Sequence, residues 1–208
     1  STAVPFPSWR LSGMARRIFS EGAPQAVFAA DGSIEMLFFT SNATENNLDD
    51  IWVLRRPDRN PSGLGIPLPA PIQTPYAEDN PHVERLEDGT LVLYFDSQPR
   101  PGGSGGIDIW FSTSADDGKT WAAPRPVASV NTDRDDHQPH LYRSDGEWFL
   151  YYSGCLDDGR SGILRARQTR PGEWGEWSDV HLVIEHGGAA AIGEATLTAD
   201  GDLYFAVV

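Results

Sequence analysis

Four segments of this 208-residue chain set unlike polar side chains after a short Pro- or Gly-bearing step. Aligned on Pro24, Pro81, Pro139 and Gly193, they place Gln25, His82, His140 and Glu194 at one equivalent position. Two imidazoles and a carboxylate converging on a point are the ligand set of a divalent metal such as Zn²⁺, Mn²⁺ or Fe²⁺, so His82, His140 and Glu194 are metal candidates and one divalent ion is the candidate cofactor. Ca²⁺, which prefers oxygen ligands, fits that set less well. The same groups can also do acid–base work, with His82 or His140 tuned by Glu194. A third reading is structural: the four side chains hydrogen-bond one another and water, and plug an axis.

Further polar residues flank these positions: Asp79 and Asn80, Asp135 and His137, Glu185 and His186. A shallow acidic pocket with His and nearby Tyr or Trp suits a neutral polyol or sugar. Glycoside hydrolysis needs carboxylates whose pKa values are driven apart, and Asp79, Asp136 and Glu194 supply three, each from a different part of the chain. The catalytic candidates are therefore Glu194, Asp79, Asp136 and His140. The substrate-binding candidates are Gln25, His82, His137, His186 and Asn80. Against Asp136 stands its position: Glu21, Glu78 and Asp136 each precede the aligned Pro by three residues, and a repeated acid reads as structural.

The elements that must position these residues are repeated. Asp-Gly pairs at 31–32, 88–89, 145–146 and 200–201 are spaced by 57, 57 and 55 residues. Each is followed by an aromatic-rich run: Glu35–Ser41, Leu91–Ser97, Trp148–Ser153 and Leu203–Val208. Asp-Gly between two such runs marks a hairpin, and continuous apolar runs of this length mark strands buried on both faces. A third strand follows at Asp50–Val53, Asp108–Phe111 and Gly162–Arg165. A fourth, bounded by Pro in the first two units, is expected at Pro71–Ile72, Arg125–Val127 and His181–Ile184. Four antiparallel strands in each of several successive units predict an all-β propeller of about four blades. The units run approximately 21–77, 78–134, 135–190 and 191–208, with first strands lining a central channel.

Ser114-Ala115-Asp116-Asp117-Gly118-Lys119-Thr120-Trp121 resembles the Asp-box of sialidase-like (BNR-repeat) propellers, with Trp177 placed like Trp121. The recurring acid, Pro, Asp-Gly, aromatic strand and Asp-Ile-Trp resembles the Tol-system propeller repeat over residues 21 to 208. More distantly, Gln138-Pro139-His140-Leu141 before Trp148–Ser153 is similar to five-bladed arabinan- and fructan-cleaving glycosidases. These resemblances imply a propeller, a site at the channel mouth and a turn role for Asp116, whose side chain satisfies backbone donors.

Composition bounds the partners. Thirty acidic against sixteen basic residues give a net charge of −14, which repels a phosphate backbone and argues against nucleic acid. The longest apolar runs are five or six residues, too short for a membrane helix. The single Cys155 excludes an intramolecular disulfide and reads as a free structural thiol. Gly102–Gly106 reads as a flexible loop, and Trp174 or Trp177 is expected at the surface.

Three functions remain open. The leading one is a glycan- or polyol-acting, hydrolase-like protein with its site at the channel mouth. The others are a non-catalytic propeller that binds a protein or carbohydrate partner, and a metal-dependent hydrolase or lyase using the His/His/Glu set. A secreted or periplasmic location is expected from the acidity and low cysteine use. Dividing 208 residues by a 57-residue unit leaves roughly 3.6 blades. Residues 1–20, in which Trp9–Phe19 resembles an outer strand, are expected to complete the last blade; the alternative is a piece of a five-bladed propeller.

Overall fold

The computed structural model describes residues 21–44, 48–56, 65–185 and 191–207. No helix forms among them, so none is long and apolar enough to cross a membrane. The strands follow one another as β1 (Glu21–Phe28), β2 (Ile34–Ser41), β3 (Asp50–Arg55) and β4 (Ile66–Pro67). Then come β5 (Glu78–Arg85), β6 (Leu91–Ser97), β7 (Asp108–Ser114) and β8 (Arg125–Pro126). A third set is β9 (Asp136–Ser144), β10 (Glu147–Cys155), β11 (Ser161–Gln168) and β12 (Trp177–Glu185). Last are β13 (Ile192–Leu197) and β14 (Leu203–Val207). Each set forms its own antiparallel sheet in sequence order: three four-stranded blades and, among the described residues, one two-stranded sheet. The proposed completion of that last sheet by residues 1–20, Trp9–Phe19 included, lies outside the described residues.

Strand β6 shows why the blades stack. All seven of its residues are buried. Leu91, Leu93 and Phe95 pack with Phe38, Ile51 and Val53 of the first blade; Val92 and Tyr94 pack with Leu150, Tyr152 and Trp177 of the third. A period of two sends alternate side chains into two different blade interfaces, which explains an uninterrupted apolar run. Trp121 meets Phe38 edge-on at 6.3 Å, and Trp177 meets Tyr94 at 6.1 Å. The two indoles thus close equivalent interfaces, and both Trp174 and Trp177 are buried rather than exposed.

Two local expectations are corrected. The fourth strand of the first blade is Ile66–Pro67 rather than Pro71–Ile72: Pro67 pairs with Trp52 as Pro126 pairs with Trp110. Leu68 then donates its N–H to Ile51 O at 2.8 Å, as Val127 does to Ile109 O at 2.9 Å. The Gly102–Gly106 loop is packed, because a Cβ at Gly103, Gly105 or Gly106 would overlap Asp108, the Asp133 backbone or Asp135 respectively. Gly105→Ala is expected to cost about 1–3 kcal/mol in chemical denaturation through overpacking. Gly22→Ala, where nothing lies within 4 Å of the added carbon, is the silent control.

The Asp116 turn behaves as its sequence implies. Its Oδ1 accepts the N–H groups of Lys119 (3.1 Å) and Thr120 (2.9 Å) and the Ser114 hydroxyl (2.8 Å). These bonds, Thr120 foremost, hold the carboxyl down at about 2. The turn joins β7 to β8 and is a scaffold element.

Candidate functional site

First strands β1, β5, β9 and β13 each carry a bulge near their start. In register, Gly22, Asp79, His137 and Gly193 are equivalent, and three positions later stand Gln25, His82, His140 and Thr196. Between them, Ala23, Asn80, Gln138 and Glu194 all take the left-handed conformation, with φ of 46°, 50°, 54° and 56°. Four non-glycine residues in that sparsely populated region, at one position of four blades, form a ring of deliberate strain.

The four bulges enclose a cavity of about 240 Å³, lined by Ala23–Gln25, Asn80–His82, Gln138–His140 and Glu194–Thr196. A second cavity of about 360 Å³ lies beyond it and is lined by Glu84, Tyr142, Arg143 and Trp148 among others. Gln25, His82, His140 and Thr196 border both, so they form the waist of the channel. The aromatic residues expected beside the mouth therefore line the second cavity, and prolines 24, 81 and 139 supply the apolar surface of the first.

This register corrects the sequence alignment. Glu194 is equivalent to Gln138, not to His140, and the fourth waist residue is Thr196. Glu194 follows His140 by 54 residues and Thr196 by 56, while the Asp-Gly turns of the same units are 55 apart, so spacing alone does not separate the two and the bulge decides.

The His82 and His140 rings meet edge to face with centroids 4.3 Å apart. His140 Nε2 accepts the Leu197 N–H at 3.1 Å. Burial, and then the neighbouring His82, pull the His140 imidazole down to about 2, so it is neutral and acts as an acceptor. With Nε2 bonded to the Leu197 N–H, that nitrogen joins the scaffold at the waist. His82 Nε2 is buried and lies 3.4 Å from Glu84 Oε1, without a hydrogen bond. The His82–His140–Glu194 metal set does not assemble, since one nitrogen is occupied and Glu194 sits two register positions away. No group of three His, Cys, Asp or Glu among the described residues is placed to hold a metal ion.

Asp136 is buried away from the mouth; its Oδ2 accepts the Thr132 N–H (2.6 Å) and hydroxyl (2.7 Å). Glu78 does the same with Thr74 and adds Arg100 Nη1 at 3.1 Å. These acids fasten the loops between blades, which is why the type repeats, and the catalytic expectation for Asp136 is not supported by its position. His137 is half-buried in the fields of Asp135 and Asp79, with burial lowering its pKa overall. His186 lies outside the described residues. Gln25, His82 and Asn80 do line the mouth.

Asp79 is half-buried beside Asn80, and its Oδ1 accepts the Thr40 hydroxyl (2.6 Å) and the Asn80 N–H (2.7 Å). Opposite it in the ladder stands Asp96, a residue the sequence reading passed over inside an aromatic strand. Burial first, and then the Asp79 charge, push Asp96 up to about 7. Glu194 is exposed, and its carboxylate makes no hydrogen bond or ion pair among the described residues.

Raised carboxyls give a stability prediction. Asp96 and Glu78 both stand at about 7, mainly through burial. A carboxyl raised in the folded state contributes stability that is complete below its unfolded pKa and is lost as pH climbs through the folded value. Thermal and urea unfolding should therefore show stability falling by on the order of 5 kcal/mol from pH 5 to pH 8, about half from each carboxyl. Asp96→Asn should flatten that slope.

No protein-family model matches the chain, and no curated protein sequence does. Solved structures do. A family 117 glycoside hydrolase of the marine bacterium Zobellia galactanivorans aligns at 15% identity over 84% of this chain and 60% of that one, with a TM-score of 0.60. An α-L-arabinanase of Penicillium chrysogenum, complexed with arabinobiose, aligns at 18% identity over 88% and 56% of the two chains, TM-score 0.59. A Hadza microbial sialidase aligns at 16% identity over 83% and 39%, TM-score 0.56. The fold is thus a β-propeller shared with glycoside hydrolases. The chain spans 60% and 56% of the lengths of the first two.

Proposed function

We propose that the channel mouth is the reaction site of a glycan-acting, hydrolase-like propeller. The observation that carries this is Glu194: an uncommitted carboxylate held in a strained backbone conformation on the wall of a polar cavity. In this reading Glu194 is the general acid–base, delivering a proton to the departing glycosidic oxygen and later taking one from water. Asp79 on β5 is proposed as the second carboxylate, next in sequence to Asn80, which lines the mouth. Asn80, Gln25 and His82 meet hydroxyl groups, and the three prolines meet the sugar's apolar edges. Neutral sugar suits a mouth of this kind better than an anion, given a net charge of −14. The likeness to an arabinanase and other glycoside hydrolases supports the substrate class. The secreted or periplasmic location expected from the sequence suits a protein that meets extracellular glycans.

The test is a panel of oligosaccharides beginning with arabinobiose and longer arabino-oligosaccharides, with products resolved by chromatography. Cleavage of at least one member by the native chain, lost in Glu194→Gln, is the expected result. Saturable binding without turnover would replace this reading with a carbohydrate-binding propeller.

A further inference from the structure

Three of the four bulges at the mouth turn a backbone N–H out of their own ladder, and the structure shows where each of these goes. Asn80 N–H reaches Asp79 Oδ1 at 2.7 Å and Thr40 Oγ1 at 3.2 Å. Gln138 N–H reaches Asp96 Oδ2 at 2.8 Å. Glu194 N–H reaches the Gln138 side-chain Oε1 at 2.9 Å, which also takes the Ser153 hydroxyl at 2.8 Å. Thr40, Asp96 and Ser153 are register-equivalent residues of three successive second strands, paired with Gly22, Asp79 and His137. Each blade therefore holds the bulge of the next, and the bonds run unbroken from the first blade to Glu194.

Asp96 differs from the other two. Its Oδ2 also accepts Asn80 Nδ2–H at 2.9 Å, so one buried oxygen ties two mouth residues from adjacent blades. An ionisable side chain nearly sealed from water serves poorly as mere filler, since burying it costs several kcal/mol unless its bonds repay that. Thr40 shows that a hydroxyl suffices for cross-blade bonding at this position, while Ser153 bonds Gln138 of its own blade, which passes the contact on to Glu194.

We propose that Asp96 is a positioning residue for the mouth: it sets Asn80 and Gln138 relative to one another, and through Gln138 it sets Glu194. This rests on Glu194 being the reacting carboxylate. The charged group acting on Asp96 is Asp79, its cross-strand partner, whose field adds to burial in holding the proton. Ionisation of Asp96 strengthens both bonds it accepts, so the geometry of the mouth tightens as pH rises through neutrality.

The test compares the native chain with Asp96→Asn and Asp96→Ala by two readouts. Amide hydrogen exchange at Gln138 and Glu194 should quicken about tenfold in Asp96→Ala and stay near native in Asp96→Asn, which keeps an acceptor oxygen. Turnover of arabinobiose, or of whichever panel member the native chain cleaves, should fall about tenfold or more in kcat with little change in KM for Asp96→Ala. Asp96→Asn should restore most of kcat and erase the pH dependence near neutrality. Unchanged exchange at Gln138 and Glu194 in Asp96→Ala overturns the proposal, as does a loss confined to KM. If Asp96→Ala fails to fold, Asp96→Asn decides: a native pH profile in that variant overturns the proposal. A native chain inert toward every glycan removes the catalytic reading alone, while the exchange readout still tests the positioning.

Discussion

Glu194→Gln is expected to lower turnover of a cleavable glycan by about a thousandfold while leaving the fold intact, the scale of a lost general acid–base. The substitution keeps the size of the side chain and changes only its capacity to hold and release a proton. The backbone supports should survive, because the Glu194 N–H, not its carboxylate, bonds to Gln138 Oε1. Unfolding should be unaffected, since the side chain is exposed and makes no bond among the described residues. The measurement is kcat and KM on the same oligosaccharide, alongside a melting curve. A variant within threefold of native kcat, with an unchanged melting curve, would exclude Glu194 from the chemistry.

The largest stability effect is expected at Arg100. Its side chain is only 6% exposed and its partner Glu78 not at all, with Nη1 to Oε1 at 3.1 Å. The guanidinium also lies over the Trp110 ring, 3.8 Å from the centroid, and 5.5 Å from that of Phe95. Arg100→Ala removes one partner of a buried pair and opens space above an indole, a combination that costs about 3–5 kcal/mol. The cost depends on pH in a specified direction. Arg100 lowers the Glu78 pKa, so its loss lets burial raise that carboxyl beyond about 7. At pH 5.5 Glu78 is already protonated with Arg100 in place, so little charge pairing is lost and the penalty is smaller; at pH 8 the orphaned carboxylate must stay charged or bind a proton at a cost, and the penalty is full. Urea titrations at both pH values measure this. Arg100→Lys should recover less than half, because an ammonium cannot stack flat on Trp110 while bonding Glu78. Equal losses at the two pH values would show that the stacking, not the pair, carries the stability.

These two residues show different degrees of legibility. Glu194 was visible because it departs from the residue types at matching places in other units, although its register was misjudged by two positions. Arg100 sits in a Pro- and Gly-rich connection that reads as loop, and nothing local says that its guanidinium turns inward onto Trp110. Asp96 was hidden differently: one acid within a buried aromatic strand looks like a strand end until its bonds to Asn80 and Gln138 are seen.

What the amino-acid order determined by itself was the repeated antiparallel unit. Turn chemistry and period-two burial act within a few residues, so Asp-Gly pairs and aromatic runs specify hairpins wherever they recur. The acid before each proline was likewise readable as scaffold, because repetition separates a blade's needs from a site's. The tertiary structure alone decided which residues share the mouth. A bulge inserts one residue into a strand, shifting every side chain after it to a new register, and its position is set by bonds to the neighbouring blade. That is why Thr196 replaces Glu194 at the waist, why His140 is a neutral acceptor for Leu197, and why Asp96 holds the mouth from behind.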